Sequence, residues 1–188
     1  MYNSHKYWNE RIEPNGHNNI TDLDLKYLPD FLKNSDNILD FGCGIGRVFK
    51  LYEGKKVTGI DFSSLYKERA IDSSKKFNLN FNHIVHNVHE SSLPIKDDEF
   101  DKGIMVAVTL HANNNEVKTI LKEVGRVSKE VLLMSLYDSV KLNGLETNQN
   151  GYGPHVFNHD YTKIIKDLGF IISYNNTLGN QIIVKYHK

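Results

Sequence analysis

The sequence predicts an α/β fold, a three-layer sandwich with helices packed on a largely parallel sheet. Three observations carry that prediction. Short apolar runs alternate with stretches of helical spacing along most of the 188 residues. The run Ile38, Leu39, Phe41 is nearly continuous, as in a strand buried on both faces. It leads into Gly42, Gly44 and Gly46, and the next apolar run, from Val57 to Ile60, ends in Asp61. Strand, glycine turn, helix, strand is the order this pattern predicts. The carboxyl ends of neighbouring strands in such a unit open onto one crevice. The glycine turn and Asp61 are therefore expected to face the same ligand.

The remaining elements follow in order. Residues 1–13 carry Tyr2, His5, Tyr7, Trp8 and Arg11 among polar residues and suit a short helix, closed by the turn Pro14-Asn15-Gly16. Ile20, Leu23, Leu28, Phe31 and Leu32 recur at helical spacing, with Asn19 or Thr21 as cap. Beyond Asp61, residues 63–77 are expected to be helical, capped by Ser63 or Ser64, with Leu65, Ala70, Ile71 and Phe77 as the apolar stripe. Residues 81–88 read as a third strand, 89–99 as a loop around Pro94, and 103–110 as a fourth strand. Val117, Ile120, Leu121 and Val124 place a helix over 113–128, before a fifth strand at 131–136. Residues 138–157 form a long polar loop with three glycines and Pro154, of a length that is often functional. A last helix over 158–168 precedes a closing antiparallel pair, 170–174 and 181–186.

Composition narrows the function. The 23 basic and 23 acidic residues balance to a net charge of +0, without the basic excess that polyanion partners select. The single cysteine, Cys43, forms no internal disulfide, which suits a reducing compartment. The polar first residues do not read as a signal peptide, and no apolar stretch approaches the ~18 residues of a membrane span. A cytoplasmic protein acting away from membranes is expected.

From Asp40 to Gly46 the pattern is D-x-G-x-G-x-G, with a strand before it and Asp61 at the tip of the next strand. A dinucleotide fingerprint, G-x-G-x-x-G, fails at Arg47. The segment resembles the class I S-adenosylmethionine-dependent methyltransferases. The resemblance extends over about residues 37–174, through NVHESSLPIKDDEFDKGIMV and EVGRVSKEVLLMS. It implies a seven-stranded, mostly parallel sheet with the last strand antiparallel. It also implies one domain over 1–188, with 1–35 as an N-terminal lid and helices and 37–188 as a Rossmann-like core. The implied cofactor is S-adenosylmethionine, with the glycine turn against its methionine and ribose parts. Asp61 is implied to accept hydrogen bonds from both ribose hydroxyls, as a carboxylate with two acceptor oxygens does. Asn87 stands where the family usually has Asp, and its amide oxygen is implied to accept from the adenine amino group. Trp8 and Arg11 are implied to cover the cofactor. The expected cofactor residues are thus Trp8, Arg11, Asp40, Gly42, Cys43, Gly44, Asp61, Phe62, Asn87, Val88 and Val106, with Cys43 acting through its backbone beside a resting thiol.

Such a cofactor brings an activated methyl group, so the protein supplies orientation and, for an oxygen or nitrogen acceptor, a base near neutral pH. His111 is expected at the end of the fourth strand, which faces the methyl group in this family; it serves there either as base or as packing. Tyr152 and His155 in the long loop are the other catalytic candidates, and His159 follows them. His83, His86 and His89 do not make a metal site: strand alternation sends His83 and His86 to opposite faces. The Asn/Asp-Pro-Pro-aromatic signature of amino-methylating DNA enzymes is replaced by Val106-Ala107-Val108-Thr109, and no Pro-Cys nucleophile is present. The expectation is methyl transfer to oxygen or nitrogen of a small polar metabolite, with no DNA partner and an oligomeric state left open. A non-catalytic binder of the cofactor and an enzyme acting on RNA or protein are the alternatives.

Overall fold

The computed structural model describes Trp8, Glu10 and residues 19–136 and 156–188. Seven strands form one sheet in the order β3-β2-β1-β4-β5-β7-β6. They are β1 (Asn37–Phe41), β2 (Lys56–Asp61), β3 (Asn80–Val85), β4 (Phe100–Val106), β5 (Ser128–Leu136), β6 (Ile171–Leu178) and β7 (Gln181–His187). The first five pair in parallel, whereas β7 runs antiparallel to both β5 and β6. This is the seven-stranded arrangement expected from the sequence, with the last strand antiparallel.

The central strands are buried on both faces, and alternation divides their side chains between two cores. Leu39, Met105, Leu133 and Ile182 enter one core, packed against Val117, Ile120, Leu121 and Val124 of helix α3 (Asn114–Val127) and against Tyr161 and Ile165 of α4 (Tyr161–Asp167). Ile38, Ile104, Leu132 and Ile183 enter the other, with Tyr27, Leu28 and Phe31 of α1 (Asp22–Phe31) and Ala70 of α2 (Lys67–Lys76). At ~25 cal/mol per Å² of apolar surface removed from water, these adjacent pairs stabilise both layers at once.

Local signals set the helix starts. Thr21 caps α1 in a reciprocal box with Asp24: its hydroxyl accepts from the Asp24 amide at 3.2 Å, and the Asp24 carboxylate accepts from the Thr21 amide at 2.7 Å. Asn113 and Glu116 form the same box at the start of α3. The guanidinium of Arg47 pairs with Asp24 and so ties the segment after the glycine turn to α1.

Five elements depart from expectation, one of them β6, which runs on to Leu178, past the expected 174. The segment after the glycine turn is a 3-10 turn, Phe49–Tyr52, and not an α-helix. Only seven residues separate Gly46 from Gly54, too few to repay helix nucleation. Gly46 has φ +80°, and a Cβ there would lie 2.4 Å from the Phe49 ring. The helix expected over 63–77 opens as a 3-10 turn, Ser64–Tyr66, before α2 begins. The third strand ends at Val85. The fourth begins at Phe100 and ends at Val106, because Ala107 adopts φ +58° and turns the chain out of the sheet. His111 therefore sits in a 3-10 turn, Thr109–His111, five residues beyond the strand it was expected to end.

Candidate functional site

The carboxyl ends of β1, β2 and β4 open onto a cavity of about 530 Å³. Its floor is the glycine turn. The amides of Gly42 and Cys43 both donate to the Ile60 carbonyl, at 2.7 and 3.1 Å, which pins the turn to the end of β2. Gly42 has φ +73°, and a Cβ on it would meet Val108 Cγ2 at 2.4 Å. Only glycine therefore lets the β4 tip press on this turn.

Asp61 closes the floor. One carboxylate oxygen accepts the Gly44 amide at 2.9 Å, and the other accepts the Ser63 amide at 2.9 Å. Burial pushes its pKa up to about 6, while backbone hydrogen bonds from Ser63, Gly44 and Phe62 pull it down. The group is thus held as an oriented acceptor at the cavity wall. Phe62, Asn87 and Val88 line the same side. The Asn87 oxygen accepts the His89 amide at 3.1 Å, and its NH2 donates to Glu90 at 3.0 Å, so the side chain is set in a local turn.

Trp8, Ala107, Val108, His111, Ala112 and Glu116 line the cavity as well. Trp8 meets His111 edge to face, with ring centroids 4.8 Å apart. The Tyr66 hydroxyl donates to the Trp8 carbonyl at 3.4 Å, which carries Trp8 over the cavity from the other side.

The cavity brings together Trp8, Gly42, Gly44, Asp61, Phe62, Asn87, Val88 and His111 from the sequence expectations. Asp40, Cys43 and Val106 do not line it. Asp40 alternates with Leu39 and Phe41 on β1, so its side chain enters the opposite face, where it accepts from the Tyr52 hydroxyl at 3.2 Å. The Cys43 thiol also packs in the core of that face, and burial raises its pKa well above the usual thiol value. Val106 packs against the same core. Arg11, Tyr152 and His155 lie outside the described residues. His159 is buried behind the cavity wall.

Several lining residues were not among the expected site residues: Tyr66, His86, His89, Glu90, Ala112 and Glu116, of which His86 and His89 had been weighed only as metal ligands. Glu116 had a signal in the N-x-x-E spacing from Asn113, which reads as a helix cap. Its position at the cavity follows from that cap lying directly after the His111 turn. Tyr66 was hidden by phase. A 3-10 turn advances three residues per turn and not 3.6, so Tyr66 faces the cavity while the expected core residue Leu65 is 44% exposed. Among the described residues no group of three His, Cys, Asp or Glu side chains is placed to hold a metal ion.

Sheet order, glycine turn and acid at the β2 tip together define the Rossmann-like methyltransferase fold. Residues 38–130 match a family model described as a methyltransferase domain. The matched segment and the fold are those of a class I S-adenosylmethionine-dependent methyltransferase domain. It is 30% identical over 106 residues to a protein named sterol methyltransferase-like 3 from Botryococcus braunii, a match covering 55% of this chain and 26% of that one. The chain thus spans about a quarter of the length of that relative. A solved S-adenosylmethionine-dependent methyltransferase from Aquifex aeolicus superposes with TM-score 0.69 at 22% identity, over 99% of this chain and 98% of the other. Magnesium protoporphyrin IX methyltransferase from Synechocystis, solved with S-adenosylmethionine bound, gives 0.64 at 17% identity, over 88% and 76%. The cyclase SpnF gives 0.68 at 15% identity, over 86% and 80%. No described helix is long and apolar enough to cross a membrane.

Proposed function

We propose that the protein transfers a methyl group from S-adenosylmethionine to an oxygen or nitrogen of a small polar acceptor. One observation carries the reading: a single cavity is lined by an oriented, buried carboxylate, by a Cβ-free turn, and by a paired indole and imidazole. The donor set fits the cofactor. Asp61 offers two acceptor oxygens to adjacent ribose hydroxyls. Phe62 and Val88 would hold its base by apolar contact, and Asn87 keeps a lone pair that would accept from an amino group. When bound, the cofactor supplies a methyl group already activated on a sulfonium centre.

The protein's part is then orientation and proton removal. Trp8 and His111 confine the acceptor to one end of the cavity, where a reacting atom must lie about 3–3.5 Å from its target. His111 takes the proton that an oxygen or nitrogen acceptor loses, as an imidazole does near neutral pH. A cytoplasmic setting and action on a free metabolite, without DNA, belong to this reading. So does the organisation of the chain as one domain with its first 35 residues as a lid. Arg11, Tyr152 and His155 are included as further ligand contacts.

Calorimetric titration with S-adenosylmethionine, S-adenosylhomocysteine and NADH tests the cofactor. Micromolar binding of the first two and none of the third is expected, and tight NADH binding overturns the reading. The cyclase among the structural neighbours makes turnover a separate question from fold. A panel of hydroxyl and amine acceptors, read by transfer of a labelled methyl group, separates transfer from binding without turnover.

A further inference from the structure

The turn that carries His111 is held from behind by residues 156–161, none of which lines the cavity. The Phe157 amide donates to the Leu110 carbonyl at 2.7 Å. His159 Nε2 lies 2.8 Å from the Ala112 carbonyl. These are the carbonyls immediately before and after His111, so its backbone is bracketed on both sides. The Tyr161 hydroxyl lies 3.1 Å from Thr109 Oγ1 and fixes the first residue of the turn. The three rings contact one another in series, the first pair stacked and the second edge to face. Phe157 and His159 are 6.3 Å apart at 20°, and His159 and Tyr161 are 5.4 Å apart at 72°.

His159 is only 2% exposed, and a carbonyl oxygen can only accept, so Nε2 carries the proton. Nδ1 stands 3.1 Å from Oδ1 of Asn114, the first residue of α3. With Nε2 protonated and the ring neutral, Nδ1 is an acceptor, which requires the Asn114 amide to be turned so that its NH2 takes the position of Oδ1 and donates to it. Burial lowers the imidazole pKa, in keeping with the neutral ring. His159 thus joins the His111 turn to the start of α3, which also carries the cavity residue Glu116.

We propose that His159 is a positioning residue for His111: its Nε2–H bond to Ala112 sets the His111 ring against Trp8 at the acceptor end of the cavity. The catalytic consequence rests on the methyl-transfer reading above; the structural one does not.

Trp8 is the only tryptophan in the chain, so indole emission reports the His111 contact directly. His159→Phe keeps a ring in the stack and removes the hydrogen bond. It is expected to alter Trp8 emission and to lower kcat by about 10–100-fold, the scale of an ångström-level misplacement, with S-adenosylmethionine affinity held within about threefold. His159→Gln places an amide N–H near the Nε2 position and is expected to restore both readouts toward wild type; His159→Asn, one bond shorter, is not. Adding His111→Ala is expected to erase the emission difference between the variants and the wild type. Unchanged emission and kcat in a folded His159→Phe protein overturn the proposal. If that variant does not fold, equal behaviour of the Gln and Asn variants overturns it instead. Failure of the wild type to bind S-adenosylmethionine defeats the methyl-transfer reading, and the emission series still decides the role of His159.

Discussion

The Asp61 carboxylate accepts the Gly44 amide at 2.9 Å, joining the tip of β2 to the glycine turn that follows β1. Its second oxygen is oriented by the Ser63 amide at the same distance. Two backbone donors thus fix the direction of the one buried acid that lines the cavity floor. A ligand with two adjacent hydroxyls meets a preset acceptor and spends little entropy in ordering it.

Asp61→Ala is expected to weaken S-adenosylmethionine binding by about 10–100-fold, the scale of hydrogen bonds to a charged group at ~1.5–3 kcal/mol. Asp61→Asn, which keeps one acceptor, falls between. Because the Asp61 pKa is pushed to about 6, wild-type affinity should decline as pH falls through that value, when a protonated oxygen becomes a donor. Calorimetry on either side of this pH, in wild type and in Asp61→Asn, checks both; an Asn variant with the wild-type pH dependence contradicts the assignment.

Gly42→Ala should destabilise the protein by about 2–4 kcal/mol, combining a left-handed backbone penalty with overpacking. The offending contact is Val108, whose methyls lie 2.4 and 2.8 Å from the added Cβ. Val108→Ala in the same chain should recover part of the loss, and no more than part, because φ stays at +73°. Urea denaturation of the two single variants and the double variant measures the coupling.

The sheet was legible where burial is two-sided. Ile38, Leu39, Ile104 and Met105 are apolar at consecutive positions because each alternates into a different core, and a continuous run is what such strands require. The same alternation contains the information that Asp40 faces away from Phe41 and the cavity; the glycine pattern drew Asp40 into the expected ligand set, and strand parity excludes its side chain. The end of β4 was not legible. Val106, Ala107 and Val108 continue an apolar run, and nothing in that composition marks the positive φ at Ala107 that ends the strand. Tyr66 was lost for a related reason, since a 3-10 turn displaces the periodicity on which helical faces are read. His111 reached the cavity despite its misplaced element, because turn and strand tip share one end of the sheet.

Asp40 should make stability fall as pH rises. It is buried at 3% exposure, and burial pushes its carboxyl to about 7; the Tyr52 hydroxyl and Arg47 pull it down, and Asp61 and Asp24 push it up. Between the ordinary aspartate value and about 7 the folded state binds the proton that the unfolded chain releases, so the folded state loses ground across that window and not below it. Asp40→Asn keeps an acceptor for Tyr52 and removes the ionisation. Its stability relative to wild type should improve by a few kcal/mol, on the order implied by ~1.4 kcal/mol per pKa unit, on going from acid to alkaline pH. Denaturation midpoints for the two proteins that stay parallel across that range count against a buried, protonated Asp40.

Arg126 latches residues 93–97 to α3, and removing it should cost more than a surface ion pair does. Its guanidinium donates to the Leu93 carbonyl at 3.0 Å, the Ile95 carbonyl at 2.9 Å, Asp97 at 2.7 Å and Glu123 at 2.8 Å. Glu123 also accepts the Leu93 amide at 2.9 Å, so the acid and the base grip the same loop from one helix. Burial pushes the Glu123 carboxyl up, but Arg126 and the Leu93 amide outweigh it and hold its pKa below the usual glutamate value. Its stabilising contribution is therefore present above that usual value and lost as pH falls through the lowered one. Arg126→Ala leaves Glu123, 9% exposed at its side chain, as an unpaired buried charge. A loss of about 2–3 kcal/mol is expected, under the ~3–5 kcal/mol of a fully buried pair because the guanidinium is itself 24% exposed. Glu123→Gln added to Arg126→Ala should recover part of that loss by removing the stranded charge. Hydrogen exchange should quicken at residues 93–97 in the single variant before it does in the sheet. Uniform quickening across the chain would instead mean that Arg126 supports the whole core and not this loop.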